Sequence, residues 1–148
     1  MAVFVINEWL WEDSSGTNGV EFQREALRFI TKLGASEHQI LVIEGSRFDQ
    51  KAWSLCKGTS LTVRTIVRAF LLSVRHITER CRLIKPEAVV VLPEELASTT
   101  NPDDHYLLQA QLAVPGAILV TTDCPLRDAA CRAGLICLSR EEFLRTYF

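Results

Sequence analysis

The chain has 148 residues, enough for one well-buried core and too few for two ordinary domains. Its 48% hydrophobic and 23% charged residues, with a net charge of -2, exclude a disordered chain and a generally basic nucleic-acid coat. One domain spanning residues 1–148 is expected, and any anion-binding surface must be local.

Val3-Phe-Val-Ile6 is a short β-branched and aromatic run stopped by Asn7-Glu8, and reads as a buried first strand. The apolar opening lacks a positive leading region and meets Glu8 too early for a signal peptide. No apolar run approaches the length that spans a bilayer, so a cytoplasmic location without membrane contact is expected. After a turn-rich loop from Ser14 to Gly19, Phe22, Ala26, Leu27, Phe29, Ile30 and Leu33 recur at helical spacing, and the helix should stop near Gly34.

Gln39-Ile-Leu-Val-Ile43 is short and β-branched and predicts a second strand, closed by Glu44-Gly45, with a short helix around Phe48 to Leu55. Thr59 or Ser60 then caps a long helix through about Arg82, with Val63, Ile66, Val67, Phe70, Val74, Ile77 and Cys81 on one face. Pro86 opens an extended run from Glu87 to Leu92, and Ser98 to Pro102 is a loop leading into another helix. Ala117 to Val120 is an apolar strand, Pro125 lies in the first turn of a helix reaching Gly134, and Leu135 to Leu138 is a final strand. Ser139-x-x-Glu142 has capping-box form for a terminal helix.

Continuous apolar strands alternating with helices predict an α/β fold, three-layer α/β/α with a mainly parallel central sheet. Ligands bind such sheets beyond the carboxyl ends of the strands, which here carry Asn7-Glu8, Glu44 and Asp123. The acids therefore converge on one rim. Each also has a structural explanation: Asn101 is a good N-cap, Asp103 and Asp104 suit the positive end of the next helix, and Asp123 can cap the helix containing Pro125. The alternative is a bound cation. The five cysteines, an odd set without a C-x-x-C pair, read as reduced thiols with no chemistry of their own.

The segments "NPDDHYLLQA", "AILVTTD" and "CPLRDA" resemble the acidic helix start, the strand ending in Thr-x-Asp and the adjoining helix of the PIN domain, a family of metal-dependent nucleases that includes prokaryotic toxins. "VFVIN" and the long middle helix fit the family's opening. The resemblance implies a ribonuclease that hydrolyses RNA phosphodiester bonds with Mg2+ or Mn2+, and an antitoxin protein or a second copy as partners. It places the acidic quartet at Asn7 or its neighbour Glu8, at Glu44 with Asp49 as rival, at Asp104 and at Asp123, with Thr121 orienting an acid or water. Strand alternation would turn Glu8 to the face opposite Asn7. Asn7 stands where the family has an Asp, so the other expectation is a module that keeps the fold and binds RNA or protein without catalysis.

Hard cations take oxygen ligands and retain waters, which would leave such a rim open to a phosphate. On the long helix Arg64, Arg68, Arg75 and Arg82 fall within an arc of roughly 40°, at about 100° per residue, and could track an RNA backbone; a solvated face is the alternative. Trp9, Trp11 and Trp53 could stack bases or belong to the core.

Overall fold

A computed structural model describes all 148 residues. Five strands form one sheet in the order β3-β2-β1-β4-β5, every neighbouring pair parallel: β1 (Val3–Ile6), β2 (Gln39–Ile43), β3 (Cys81–Ile84), β4 (Ile118–Val120) and β5 (Ile136–Leu138). The chain builds outward from β1 through β2 to β3, then returns to the other side of β1 with β4 and β5. The direction of winding thus reverses between β1 and β4, the crevice where open parallel sheets place ligands.

The apolar strands serve both faces. Phe4, Ile6, Ile40, Val42, Ile118 and Val120 point into one core with Phe29, Ile30 and Leu33 of α2 (Val20–Ala35), Val63, Ile66, Val67 and Phe70 of α4 (Leu61–Phe70) and Phe143 of α8 (Arg140–Tyr147). Val5, Leu41, Ile43 and Leu119 alternate to the other face, against Leu107 and Leu108 of α6 (His105–Ala113) and Leu126 and Ala130 of α7 (Cys124–Arg132). Two-residue alternation inside continuous apolar runs is what a sheet covered on both faces requires, so the three-layer α/β/α arrangement expected from the sequence is present. The remaining helices are α1 (Trp9–Ser14), α3 (Arg47–Cys56) and α5 (Glu94–Thr99). No helix is long and apolar enough to cross a membrane.

Two local expectations are corrected. The helix predicted through Arg82 ends as α4, succeeded by one π-type turn over Leu71–Arg75 in which His76 N–H donates to the Leu71 carbonyl at 3.0 Å. Cys81–Ile84 beyond it is the edge strand β3, while the run through Val89–Leu92 pairs with no strand and is tied instead by Gln109 Nε2, which donates to the Val90 carbonyl at 3.1 Å. α2 ends at Ala35, one residue past Gly34, as expected; a Cβ at Gly34 would stand 3.0 Å from Ser73 Cβ, so glycine there also permits α2 to approach the π-type turn.

Trp9 and Trp11 are core residues, 2% and 0% exposed, with indole N–H groups donating to the carbonyls of Val120 at 3.1 Å and Phe48 at 3.0 Å. Neither can stack on a base. Of the three tryptophans only Trp53, 37% exposed, reaches the surface.

Candidate functional site

The carboxyl ends of β1 and β4 lie side by side, and a net of hydrogen bonds fixes the residues just beyond them. Asn7 N–H donates to the Val120 carbonyl at 3.2 Å, and the Asn7 side-chain amide donates to Thr121 Oγ1 at 2.9 Å. The same hydroxyl, fully buried, accepts Asp123 N–H at 3.0 Å. Asn7 Oδ1 accepts Trp9 N–H at 2.9 Å, which turns the chain from β1 into α1. Thr121 thus positions both Asn7 and Asp123.

The two aspartates the sequence singles out share a cleft of 240 Å³, whose walls include Thr99, Thr100, Asn101 and Pro125. Their structural roles separate. Asp123 is a genuine N-cap: its Oδ1 accepts Leu126 N–H at 3.1 Å at the start of α7. Asp104 caps nothing, because Asn101, three residues earlier, takes that role by accepting Asp103 N–H at 3.0 Å. The half-buried Asp104 carboxyl is held above its ordinary pKa by burial and by the Asp123 carboxylate, with Asp103 and Glu8 adding to the push and Arg47 opposing it. Asp104 thus neither caps a helix nor forms an ion pair, and it is crowded by a second acid.

The other predicted members lie differently. Glu8 is not turned away by strand alternation, because β1 ends at Ile6 and Glu8 has helical backbone angles as the N-cap residue of α1; its Oε2 stands 3.7 Å from an Arg47 nitrogen. Glu44, just past β2, makes a 3.0 Å ion pair with Lys85, just past β3. Its rival Asp49 is 4% exposed and accepts from Arg75 at 2.8 and 3.1 Å and from Gly45 N–H at 3.0 Å. Asp49 is therefore a structural acid that ties α3 to the π-type turn.

That pair also removes Arg75 from the expected arginine stripe, since it is only 8% exposed. Arg82 lies on β3 and not on the helix, so α4 presents only Arg64 and Arg68. The four arginines do not form one stripe.

Two rim residues escaped the sequence reading. Arg47, the first residue of α3, reaches across to Glu8 and, at 3.2 Å, to Asp103. Tyr106 has a buried hydroxyl without a hydrogen-bond partner, and burial, then the Glu8 carboxylate, raises its pKa, with Arg47 and Asp104 also acting on it. Position 106, two residues after Asp104, carried a sequence cue; Arg47 comes from another element and carried none.

No three His, Cys, Asp or Glu side chains are grouped so as to hold a metal ion among themselves. Asp104 and the Asp123 Oδ2, which the cap leaves unused, are the carboxylate oxygens that line the cleft. No protein-family model, curated protein or solved structure matches the chain.

Proposed function

We propose that the chain is a PIN-like ribonuclease that hydrolyses RNA phosphodiester bonds with Mg2+ or Mn2+, with Asp104 and Asp123 as the residues that would hold the cation. The observation that carries this reading is the uncommitted Asp104 carboxylate facing Asp123 in one cleft at the switch between β1 and β4. Such a cation, when bound, supplies charge for a phosphate oxygen and lowers the pKa of a bound water. The chain's own residues prepare the place: Thr121 fixes the backbone of Asp123, Asn101 caps the helix so that Asp104 need not, and the buried Trp9 indole binds the Val120 carbonyl at the end of β4.

The test is cleavage of a single-stranded RNA by the purified chain with Mn2+, with chelator, and in Asp104→Asn and Asp123→Asn. Cleavage that needs the metal and is lost in both variants supports the reading. Cleavage that survives either substitution belongs to another site or a contaminant.

A second reading has its own observation. Asn7 brings no charge and gives its amide to Thr121 and Trp9, Glu44 is paired with Lys85 and Asp123 caps α7 with one oxygen, so only Asp104 is wholly unengaged where a nuclease quartet would offer four carboxylates. A module of this fold that binds RNA without cutting it would give binding in the same experiment and no cleavage under any condition.

A further inference from the structure

Arg24 pairs with Glu21 one turn away on α2, while three arginines reach carboxylates of other elements, and these are held in two different ways. Arg75 meets Asp49 at 2.8 Å and Arg140 meets Asp13 at 2.6 Å and Glu25 at 2.7 Å, their side chains 9% and 7% exposed; these guanidinium groups are spent on the core. Arg47 is 54% exposed and stands 3.2 Å from Asp103 and 3.7 Å from Glu8. Contacts of that length on an exposed side chain are weak and easily exchanged, and most of the five N–H donors of the fork remain free.

Its position matters as much as its looseness. Glu8 lies just past β1, Asp103 precedes α6 and Arg47 opens α3 after β2, so the guanidinium spans the rim beside the Asp104–Asp123 cleft. It is the only cation among the charges acting on Asp104. The Tyr106 hydroxyl, within reach of the same charges, is buried and lacks a partner, a polar group that bound ligand or water would complete.

We propose that Arg47 is the phosphate anchor of this rim: an RNA phosphate displaces Glu8 and Asp103 from the guanidinium and is held by it beside Asp104 and Asp123. The proposal rests on the reading of the cleft as a phosphodiester site and adds the residue that fixes the backbone there. A planar fork suits two oxygens of one phosphate, which a lysine ammonium cannot match. Glu8 and Asp103 then serve as a resting counter-charge that weaker or smaller anions must also displace.

The test uses the full chain and a fluorescein-labelled single-stranded oligouridylate, with anisotropy read in EDTA so that no metal contributes. Arg47→Ala should weaken binding about tenfold, as for one lost charge-assisted hydrogen bond, and the slope of log affinity against log salt should become shallower by about one contact. Arg47→Lys should keep most of the salt slope and recover only part of the affinity, while Glu8→Gln with Asp103→Asn should tighten binding by freeing the fork. Unchanged affinity and slope in Arg47→Ala would overturn the proposal, as would a wild-type chain that does not bind the oligonucleotide. Mn2+ titration without RNA reports separately on the metal: in Arg47→Ala, Mn2+ binding that persists while RNA affinity is unmoved overturns the anchor and spares the cation site, and the converse spares the anchor.

Discussion

Asn7 donates its side-chain amide to Thr121 Oγ1 at 2.9 Å, across the junction where β1 and β4 end. Because Thr121 also accepts Asp123 N–H, one buried hydroxyl links the Asn7 side chain to the backbone of Asp123. The Asn7 amide enters this net in both senses, its nitrogen donating to Thr121 and its oxygen accepting Trp9 N–H. A carboxylate at position 7 would reverse the bond, with Thr121 donating, and would still accept from Trp9 N–H through its second oxygen.

Asn7→Asp should therefore fold, and should add a negative charge beside Asp104 and Asp123. In EDTA its melting temperature is expected to fall, by the equivalent of about 1 kcal/mol, through like-charge repulsion. Saturating Mn2+ should raise it by more than it raises the wild type, and any RNA cleavage should increase. Melts in EDTA and Mn2+ check this; a variant that loses stability equally in both would show that position 7 does not face the cation.

Asp123 caps α7 and, on the proposed reading, would also hold the cation; substitution can separate the two. Asparagine is also a good N-cap, so Asp123→Asn should cost at most a few tenths of a kcal/mol in EDTA while losing the response to Mn2+. Asp123→Ala should lose both the response and the bond to Leu126 N–H, at about 1 kcal/mol. Equal stabilities for the two variants in EDTA would mean that the cap contributes nothing.

The arginines make a third contrast. Removing Arg75 strands the buried Asp49, so Arg75→Ala should cost about 3–5 kcal/mol, read by urea unfolding. Arg64→Ala with Arg68→Ala should change stability little and should flatten the salt dependence of RNA binding if α4 tracks phosphates. A salt slope that does not move assigns both side chains to solvent.

The elements that were legible in the sequence are those whose local signals agree with their burial. β1, β2, β4 and β5 are apolar runs bounded by polar or turn residues, and Ser60, Asn101 and Ser139 cap the helices their positions suggested. β3 was hidden because it is an edge strand: Arg82 and Leu83 are exposed, so it has no continuous apolar signature, and Ile77 and Cys81 extend the period of α4 past its end. The Ala88–Leu92 run has the composition of a strand but pairs with none, and Gln109 from α6 takes the Val90 carbonyl in place of a ladder. At the site, Asp104 and Asp123 were legible because each directly adjoins a helix start. Arg47 was not, because its meaning comes from carboxylates 39 residues before it and 56 after it, which only the sheet order brings together.

Asp104 gives the sharpest test, because its two possible roles predict opposite signs. Burial and the Asp123 carboxylate raise its folded pKa above the unfolded value, so the folded chain holds the proton more tightly. Its contribution to stability is then fully present below the ordinary carboxylate pKa and is lost as pH rises through the raised one. At neutral pH in EDTA, Asp104→Asn should therefore be more stable than the wild type, and the gap should close as pH falls below the ordinary carboxylate range. With Mn2+ at a hundredfold over its dissociation constant, the wild type should gain about 2.7 kcal/mol, several degrees for a chain of this size, and Asp104→Asn should gain almost none. A carboxylate serving only the helix dipole predicts the reverse in EDTA, a loss of roughly 0.3–1 kcal/mol on substitution, with no response to Mn2+ in either protein. Thermal melts at acidic and neutral pH, each with and without Mn2+, separate the two, and a destabilised variant indifferent to metal would remove the cation from this cleft.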